Sequence, residues 1–175
     1  MDTTYESMAK WAVTMMGVLM IVSIVGSGAA NAETKTTTYP GTMCQPYNST
    51  AADNVRYTTQ GVYNNSMAQT STVKCPIPYT LSGGKLSYVI VDVKDQSDAR
   101  TISCTAYVRG LDGDYVTSNS ANSDEFFGGN SDVFIDGISY TDGGGIYGVS
   151  CNLPSRLAGV PAFQVVSYSA YESND

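Results

Sequence analysis

Histidine is absent from the 175 residues, and its absence closes several chemistries at once. Neither a Ser-His-Asp nor a Cys-His nucleophile can be assembled, no imidazole can act as general base, and no metal can be held through histidine. Positive charge is scarce: 9 Lys and Arg stand against 16 Asp and Glu, a net charge of -7. Nucleic-acid recognition begins with cations neutralising phosphates, so no nucleic-acid partner is expected. Tryptophan occurs once, as Trp11. The length suits one ordinary domain.

Long apolar runs are lacking except near the N-terminus. There Val13 to Val25 is apolar apart from Thr14 and Ser23, and small residues follow, ending Ala30-Asn31-Ala32. An apolar stretch of about 7–15 residues closed by an A-x-A-like end describes a secretory signal peptide. The run falls short of the roughly 20 apolar residues that a bilayer crossing needs, which is the argument against an uncleaved anchor. Only Lys10 precedes it as a cation, opposed by Asp2 and Glu6. Residues 1–32 are therefore expected to be removed after Ala32, leaving 143 residues with all four cysteines, no tryptophan and a net charge of -6.

What remains alternates. In Thr101 to Arg109 the residues Ile102, Cys104, Ala106 and Val108 share one face, and Thr101, Ser103, Thr105, Tyr107 and Arg109 share the other. That is a half-buried strand. Ile146 to Leu153 repeats the device with Tyr147, Val149, Cys151 and Leu153, and Lys85 to Val93 reads as a central strand rich in β-branched residues. Further strands are expected in 55–63, 70–75, 114–117, 133–135 and 162–171. Between the runs lie Ser82-Gly-Gly84, Leu111-Asp-Gly-Asp114, Gly128-Gly-Asn130 and Thr141-Asp-Gly-Gly-Gly145, all turn formers. No segment after residue 32 shows helical periodicity. The expected fold is all-β: a single antiparallel β-sandwich, immunoglobulin-like or jelly-roll-like, spanning 44–171. A Thr-rich lead-in over 33–43 and an acidic tail over 172–175 flank it. The polar stretch from Thr117 to Ser131 is expected to be a mobile loop.

Cys44, Cys75, Cys104 and Cys151 are even in number behind a signal peptide, which implies two disulfides. No C-x-x-C pair is present, so a structural zinc site is disfavoured. Four cysteines allow three connectivities. Cys104 and Cys151 take inward strand positions and could meet across the core, locking two β layers together. Cys44 lies two residues before Pro46 and Cys75 directly before Pro76, and proline is a residue suited to strand ends. Patterning therefore prefers Cys44–Cys75 and Cys104–Cys151.

Among chemistry-bearing residues the acidic turns stand out. Asp112-Gly113-Asp114 resembles part of a calcium loop, and Asp124, Glu125, Asp132, Asp136 and Asp142 offer further oxygens nearby in sequence. The full D-x-[DN]-x-[DN]-G pattern with its later Glu is missing, and Asp-Gly pairs also simply make turns. No metal or cofactor is assigned; Asp112, Asp114 and Asp136 are the candidate calcium ligands, and the same carboxylates are the candidates for a hydrolase. Tyrosines suited to stacking on sugars are Tyr57, Tyr63, Tyr79, Tyr107, Tyr115, Tyr140 and Tyr168, although tyrosine is also an ordinary strand residue. Lys85 and Ser87 share a strand face, the spacing a Ser-Lys dyad would use, but a solvated lysine is the plainer reading. Asn48-Ser49-Thr50 and Asn64-Asn65-Ser66 match N-glycosylation sequons.

The order Tyr39-Pro-Gly-Thr-Met-Cys44-Gln-Pro46, Gly61-Val-Tyr-Asn64, Cys75-Pro-Ile-Pro78, Ser103-Cys-Thr-Ala-Tyr-Val108 and Gly148-Val-Ser-Cys151-Asn-Leu-Pro154 resembles a group of short secreted four-cysteine proteins of proteobacteria. The resemblance spans most of the chain after residue 32 and implies an exported bacterial β protein. It implies no activity, cofactor or catalytic residue. The expectation is a non-catalytic structural or binding module of the periplasm, cell surface or medium. It would not engage the membrane after signal cleavage, and its partner is unassigned, with self-association and a surface glycan or protein as the candidates. Two alternatives are a filament or coat subunit in which 33–39 adds as a strand to a neighbour's edge, and a small carboxylate-dependent hydrolase.

Overall fold

A computed structural model describes residues 33–78, 85–95, 100–123, 129–138 and 145–174. The signal-peptide expectation for 1–32 lies outside the described residues. The strands in chain order are β1 (Thr34–Pro40), β2 (Gln45–Pro46), β3 (Val55–Thr58), β4 (Gly61–Asn64), β5 (Ser71–Ile77), β6 (Lys85–Asp95), β7 (Ser103–Arg109), β8 (Tyr115–Asn122), β9 (Gly129–Ile135), β10 (Ile146–Leu153) and β11 (Gln164–Ser173). A 3-10 turn at Gly41–Met43 follows β1, and one short helix, α1 (Ser49–Asn54), precedes β3.

The strands form two antiparallel sheets: a six-stranded sheet ordered β3-β4-β11-β6-β9, with β1 also on β11, and a five-stranded sheet ordered β2-β5-β10-β7-β8. Four of the pairings are nested along the chain: β4 with β11, β5 with β10, β6 with β9, and β7 with β8. Successive nested pairs fall in alternate sheets. One long hairpin is thus rolled around the core, which is the jelly-roll arrangement and not the immunoglobulin one.

Between the layers, Val89, Val91, Val93, Val133, Ile135, Tyr168 and Ala170 of one sheet meet Val73, Ile77, Ala106, Val108, Tyr147, Val149 and Leu153 of the other in one apolar cluster. The inward residues read from the alternation of 101–109 and 146–153 are all buried. No helix among the described residues is long and apolar enough to cross a membrane.

Several expectations change. The stretch 55–63 is two strands, because Thr59 and Gln60 turn the chain back between β3 and β4. Much of the expected loop 117–131 is strand: β8 runs to Asn122 and β9 starts at Gly129. An edge strand that is mostly open to solvent, with only Thr117 and Ala121 half-buried, needs little apolar alternation, so its Ser and Asn residues hid it. The lead-in is β1, paired along β11 from Thr34↔Ser173 to Pro40↔Ser167, and the tail begins inside β11, where Glu172 is buried. Helix α1 is too short to show a period, and its signal is local: the Asn48 side chain accepts from the Ala51 N–H at 2.8 Å as an N-cap.

The four cysteines form two bonds, Cys44–Cys75 and Cys104–Cys151, and all four residues are fully buried. Cys104 does not reach Cys151 across the core. The two sit directly opposite each other on neighbouring strands β7 and β10. Cys44 likewise continues the register of β2 against β5, where Gln45 faces Lys74. Both bonds therefore lie within the five-stranded sheet as lateral staples. The layers are joined by phenols: Tyr168 of β11 donates to the Pro76 carbonyl at 2.6 Å, and Tyr39 of β1 donates to the Pro78 carbonyl at 3.0 Å. These two rings stack at 5.2 Å. They serve carbonyls at the end of β5 that the two-residue β2 is too short to cover.

β11 changes edge partner from β4 to β1 at a register shift between Val165 and Ser167. Gly41 and Gly61 press on this seam, where a Cβ at either would collide with the Val165 carbonyl oxygen; Gly61 also has φ +146°, open to few other residues.

Candidate functional site

The calcium and hydrolase candidates are dispersed into turns. Asp112 and Asp114 close the β7–β8 hairpin: the Gly110 N–H donates to the Asp114 carbonyl at 2.9 Å, and the Asp114 N–H donates to Asp112 Oδ1 at 3.2 Å. Gly113 between them has φ +91°, so the turn itself accounts for the Asp-Gly-Asp sequence. Asp136 offers its backbone carbonyl to Asn119 Nδ2 at 2.9 Å. No group of three or more metal-capable side chains converges among the described residues. Asp124, Glu125 and Asp142 lie outside the described residues.

One pair of acids does meet, and the sequence reading named only half of it. Asp92 on β6 stands directly opposite Asp132 on β9, on the outer face of the six-stranded sheet. Burial first, then the Asp132 charge, hold the Asp92 carboxyl above its ordinary value. The Ser167 hydrogen bond and the Lys94 charge pull the other way. Beside the pair, Thr38, Thr59, Gln60, Lys94 and Ser167 line an open cleft of about 580 Å³, with Lys94 Nζ donating to Gln60 Oε1 at 2.7 Å.

Ser87 Oγ lies 3.0 Å from Ser173 Oγ, so its polar neighbour is a hydroxyl on β11. Of the sequon asparagines, Asn64 is fully buried, its Nδ2 donating to the carbonyls of Gln69, Leu153 and Pro154 and its Oδ1 accepting from Ser66 and Ser71. Asn64 is a structural hub with no room for a glycan. Among the tyrosines, Tyr168 points into the core and not outward. Tyr57 is exposed, with its hydroxyl on the Cys44 carbonyl at 2.9 Å. Tyr79 and Tyr140 lie outside the described residues.

The outer face of the five-stranded sheet gathers the remaining features. Its rungs can be followed strand by strand: Pro76, Gly148, Tyr107 and Ser118; then Gln45, Lys74, Ser150, Thr105 and Ser120; then Thr72, Asn152, Ser103 and Asn122. Thr72 donates to Asn152 Oδ1 at 2.7 Å, and Thr105 and Ser120 hydroxyls lie 2.8 Å apart. At one end the Tyr107 ring lies over Gly148, where a Cβ would come within 2.5 Å of its hydroxyl. Lys74 Nζ sits 4.1 Å from the Tyr47 ring centre, and the Arg109 guanidinium 4.2 Å from that of Tyr115 and 5.6 Å from that of Tyr107. Gln45, Pro46, Lys74, Pro76, Tyr107 and Ile146 wall a shallow cleft of about 410 Å³ there. Tyr107 and Tyr115 are among the stacking candidates of the sequence and Arg109 takes an outward place in its alternation, whereas Tyr47 and Lys74 are not singled out there. Lys74 and Arg109 hold outward positions in alternating runs, which was the available signal.

No family model matches the chain, and no curated protein is similar to it. Among solved structures, the infectious bursal disease virus VP2 subviral particle matches with a TM-score of 0.46 and 12% identity, over 82% of this chain and 33% of that one. The enzymatically active domain of bacteriophage CBA120 tailspike protein 4 matches with a TM-score of 0.41 and 15% identity, over 81% of this chain and 19% of that one. The chain thus spans a third or less of the length of either.

Proposed function

We propose that this chain acts as an exported, non-catalytic structural or binding module of the periplasm, cell surface or medium. The observation that carries the reading is the five-stranded sheet itself. Two buried lateral disulfides hold it, and its strands present hydroxyls, amides, tyrosines and two cations outward. Buried disulfides of this kind form in oxidising compartments. The resemblance of the motif order to that of short exported bacterial proteins and the apolar run ending Ala30-Asn31-Ala32 support the same direction. A stapled sheet offers a rigid display face, because cross-links between neighbouring strands resist slippage of register.

The test is chemical. Protein recovered from its native host should have an intact mass lacking residues 1–32, and its four cysteines should resist alkylation until reduced. Retention of Met1, or four thiols reacting without reduction, would overturn the proposal. In the filament alternative β1 would have to leave β11 and pair with a neighbour; deleting 33–39 would then abolish assembly, and a chain that stays monomeric at high concentration by light scattering removes that alternative. For the hydrolase alternative, a detected turnover that survives D112A, D114A and D136A would remove those acids from the chemistry.

A further inference from the structure

The strands of the five-stranded sheet carry Lys74 and Arg109 and not one carboxylate, in a chain whose net charge is -7. Neither cation has a carboxylate partner among the described residues. Each rests on a tyrosine ring, and Tyr47, Tyr107 and Tyr115 all lie close enough to act on the Arg109 charge. Tyr47 and Tyr115 are 56% and 61% exposed, whereas Tyr107 is nearly buried at 9%. Lys74 and Tyr107 line the cleft, and Tyr47, Arg109 and Tyr115 stand beside it through their contacts with these two and with each other. The hydroxyl and amide rungs of Ser150, Thr105 and Asn152 continue from it along the sheet.

We infer that this face binds a carboxylate-bearing polysaccharide. Sugar C–H bonds are partially positive and pack on the negative face of an aromatic ring. Ring hydroxyls match a surface of Ser, Thr and Asn side chains, each able to donate and accept. A carboxylate placed between Lys74 and Arg109 supplies the counter-charge that the protein itself withholds. A nucleic acid fits worse, since its phosphate density asks for many more cations than the two on this face. This inference rests on the binding-module reading above and deepens it.

The test uses the chain after removal of 1–32, with its disulfides intact. Titration calorimetry would be run with oligogalacturonate, hyaluronan oligosaccharide and oligosialic acid, against methyl-esterified oligogalacturonate and oligo-dT as controls. At least one acidic glycan should bind, methyl esterification should abolish binding of the galacturonate, and salt should weaken it. R109Q and K74Q should each weaken the interaction about tenfold, the scale of one lost charge-assisted contact. Y115S should weaken it by a similar factor, with unchanged melting temperature in all three because none of these side chains is buried. G148A gives a second handle: its methyl must displace the Tyr107 ring, so binding should fall while the fold survives. No binding by any of the three glycans, equal binding of the esterified form, equal binding of oligo-dT, or full affinity in R109Q would each overturn the inference. None of these outcomes touches the alkylation result, so failure here is distinguishable from failure of the export reading.

Discussion

The five-stranded sheet carries both disulfides and no carboxylate on its strands, whereas the six-stranded sheet carries neither disulfide and places Asp92, Asp95, Asp132 and Glu172 on its strands. The first is held sideways by covalent bonds between neighbours. The second is held by length and packing: β11 pairs with β6 along most of its ten residues and divides its other edge between β1 and β4. The two sheets are therefore vulnerable in different places. A stapled sheet tolerates a two-residue strand such as β2 at its edge, because Cys44–Cys75 fixes the register that two residues could not. An unstapled sheet depends on every contact at its seam.

The staples carry the largest expected effect. Replacing Cys104 and Cys151 together by Ala should cost about 4 kcal/mol in urea unfolding, the loop-entropy estimate for 47 residues. Losing Cys44–Cys75, with a 31-residue loop, should cost slightly less. If the double variant loses under about 1 kcal/mol, the lateral bonds are not what holds this sheet. On the other sheet the largest effect belongs to the seam. G61A must fit a Cβ against the Val165 carbonyl at a positive φ, and should cost about 2–3 kcal/mol. A melting temperature unchanged in G61A would mean that β11 can shift freely there.

Next comes the phenol that spans the layers. Y168F leaves the Pro76 carbonyl without its donor and should cost about 1–1.5 kcal/mol. Burial, and then Tyr39 nearby, raise the Tyr168 phenol above its ordinary value. The folded state therefore holds this proton more tightly than the unfolded one, and stability is lost as pH rises past about 10. Y168F should remove part of that alkaline loss. An identical alkaline limb in the variant and the parent would show that Tyr168 does not govern it.

The interior of the fold was legible because it obeys period two. Ile102, Cys104, Ala106 and Val108 on β7, and Tyr147, Val149, Cys151 and Leu153 on β10, were read as inward from alternation alone, and each is buried. Alternation says which face a residue takes and not which strand lies beside it, so it could not tell that Cys104 and Cys151 are lateral neighbours. The edges were illegible for a related reason. Tyr115–Asn122 is exposed along most of its length, with only Thr117 and Ala121 half-buried, so little in its Ser and Asn residues records the ladder that makes it a strand. Thr34–Pro40 buries only Tyr39. The surface cleft was half legible: Tyr107 and Tyr115 could be placed on an outer face, but Tyr47 arrives there only because β2 pairs with β5, a long-range fact with no local pattern. Asp92 escaped because its partner Asp132 is 40 positions away in the sequence and meets it through the β6–β9 ladder.

That acid pair gives the smallest effect and the sharpest sign. Like charges directly opposite on antiparallel strands destabilise the sheet, and here solvent, Ser167 and Lys94 soften the cost. Because the folded state raises the Asp92 pKa, it binds this proton more readily than the unfolded chain does. The charged carboxylate therefore works against folding above the folded pKa, and the penalty fades as pH falls through it. D92N should accordingly raise stability at pH 7 by about 0.5 kcal/mol, with the gain shrinking as pH is lowered toward the ordinary carboxylate range. D132N should act in the same direction, and the double variant should gain less than the two single gains combined, since either substitution already relieves the repulsion. A D92N variant that is less stable at pH 7 would reverse the ranking of forces at this site, making the Ser167 and Lys94 contacts stronger than the repulsion across β6 and β9.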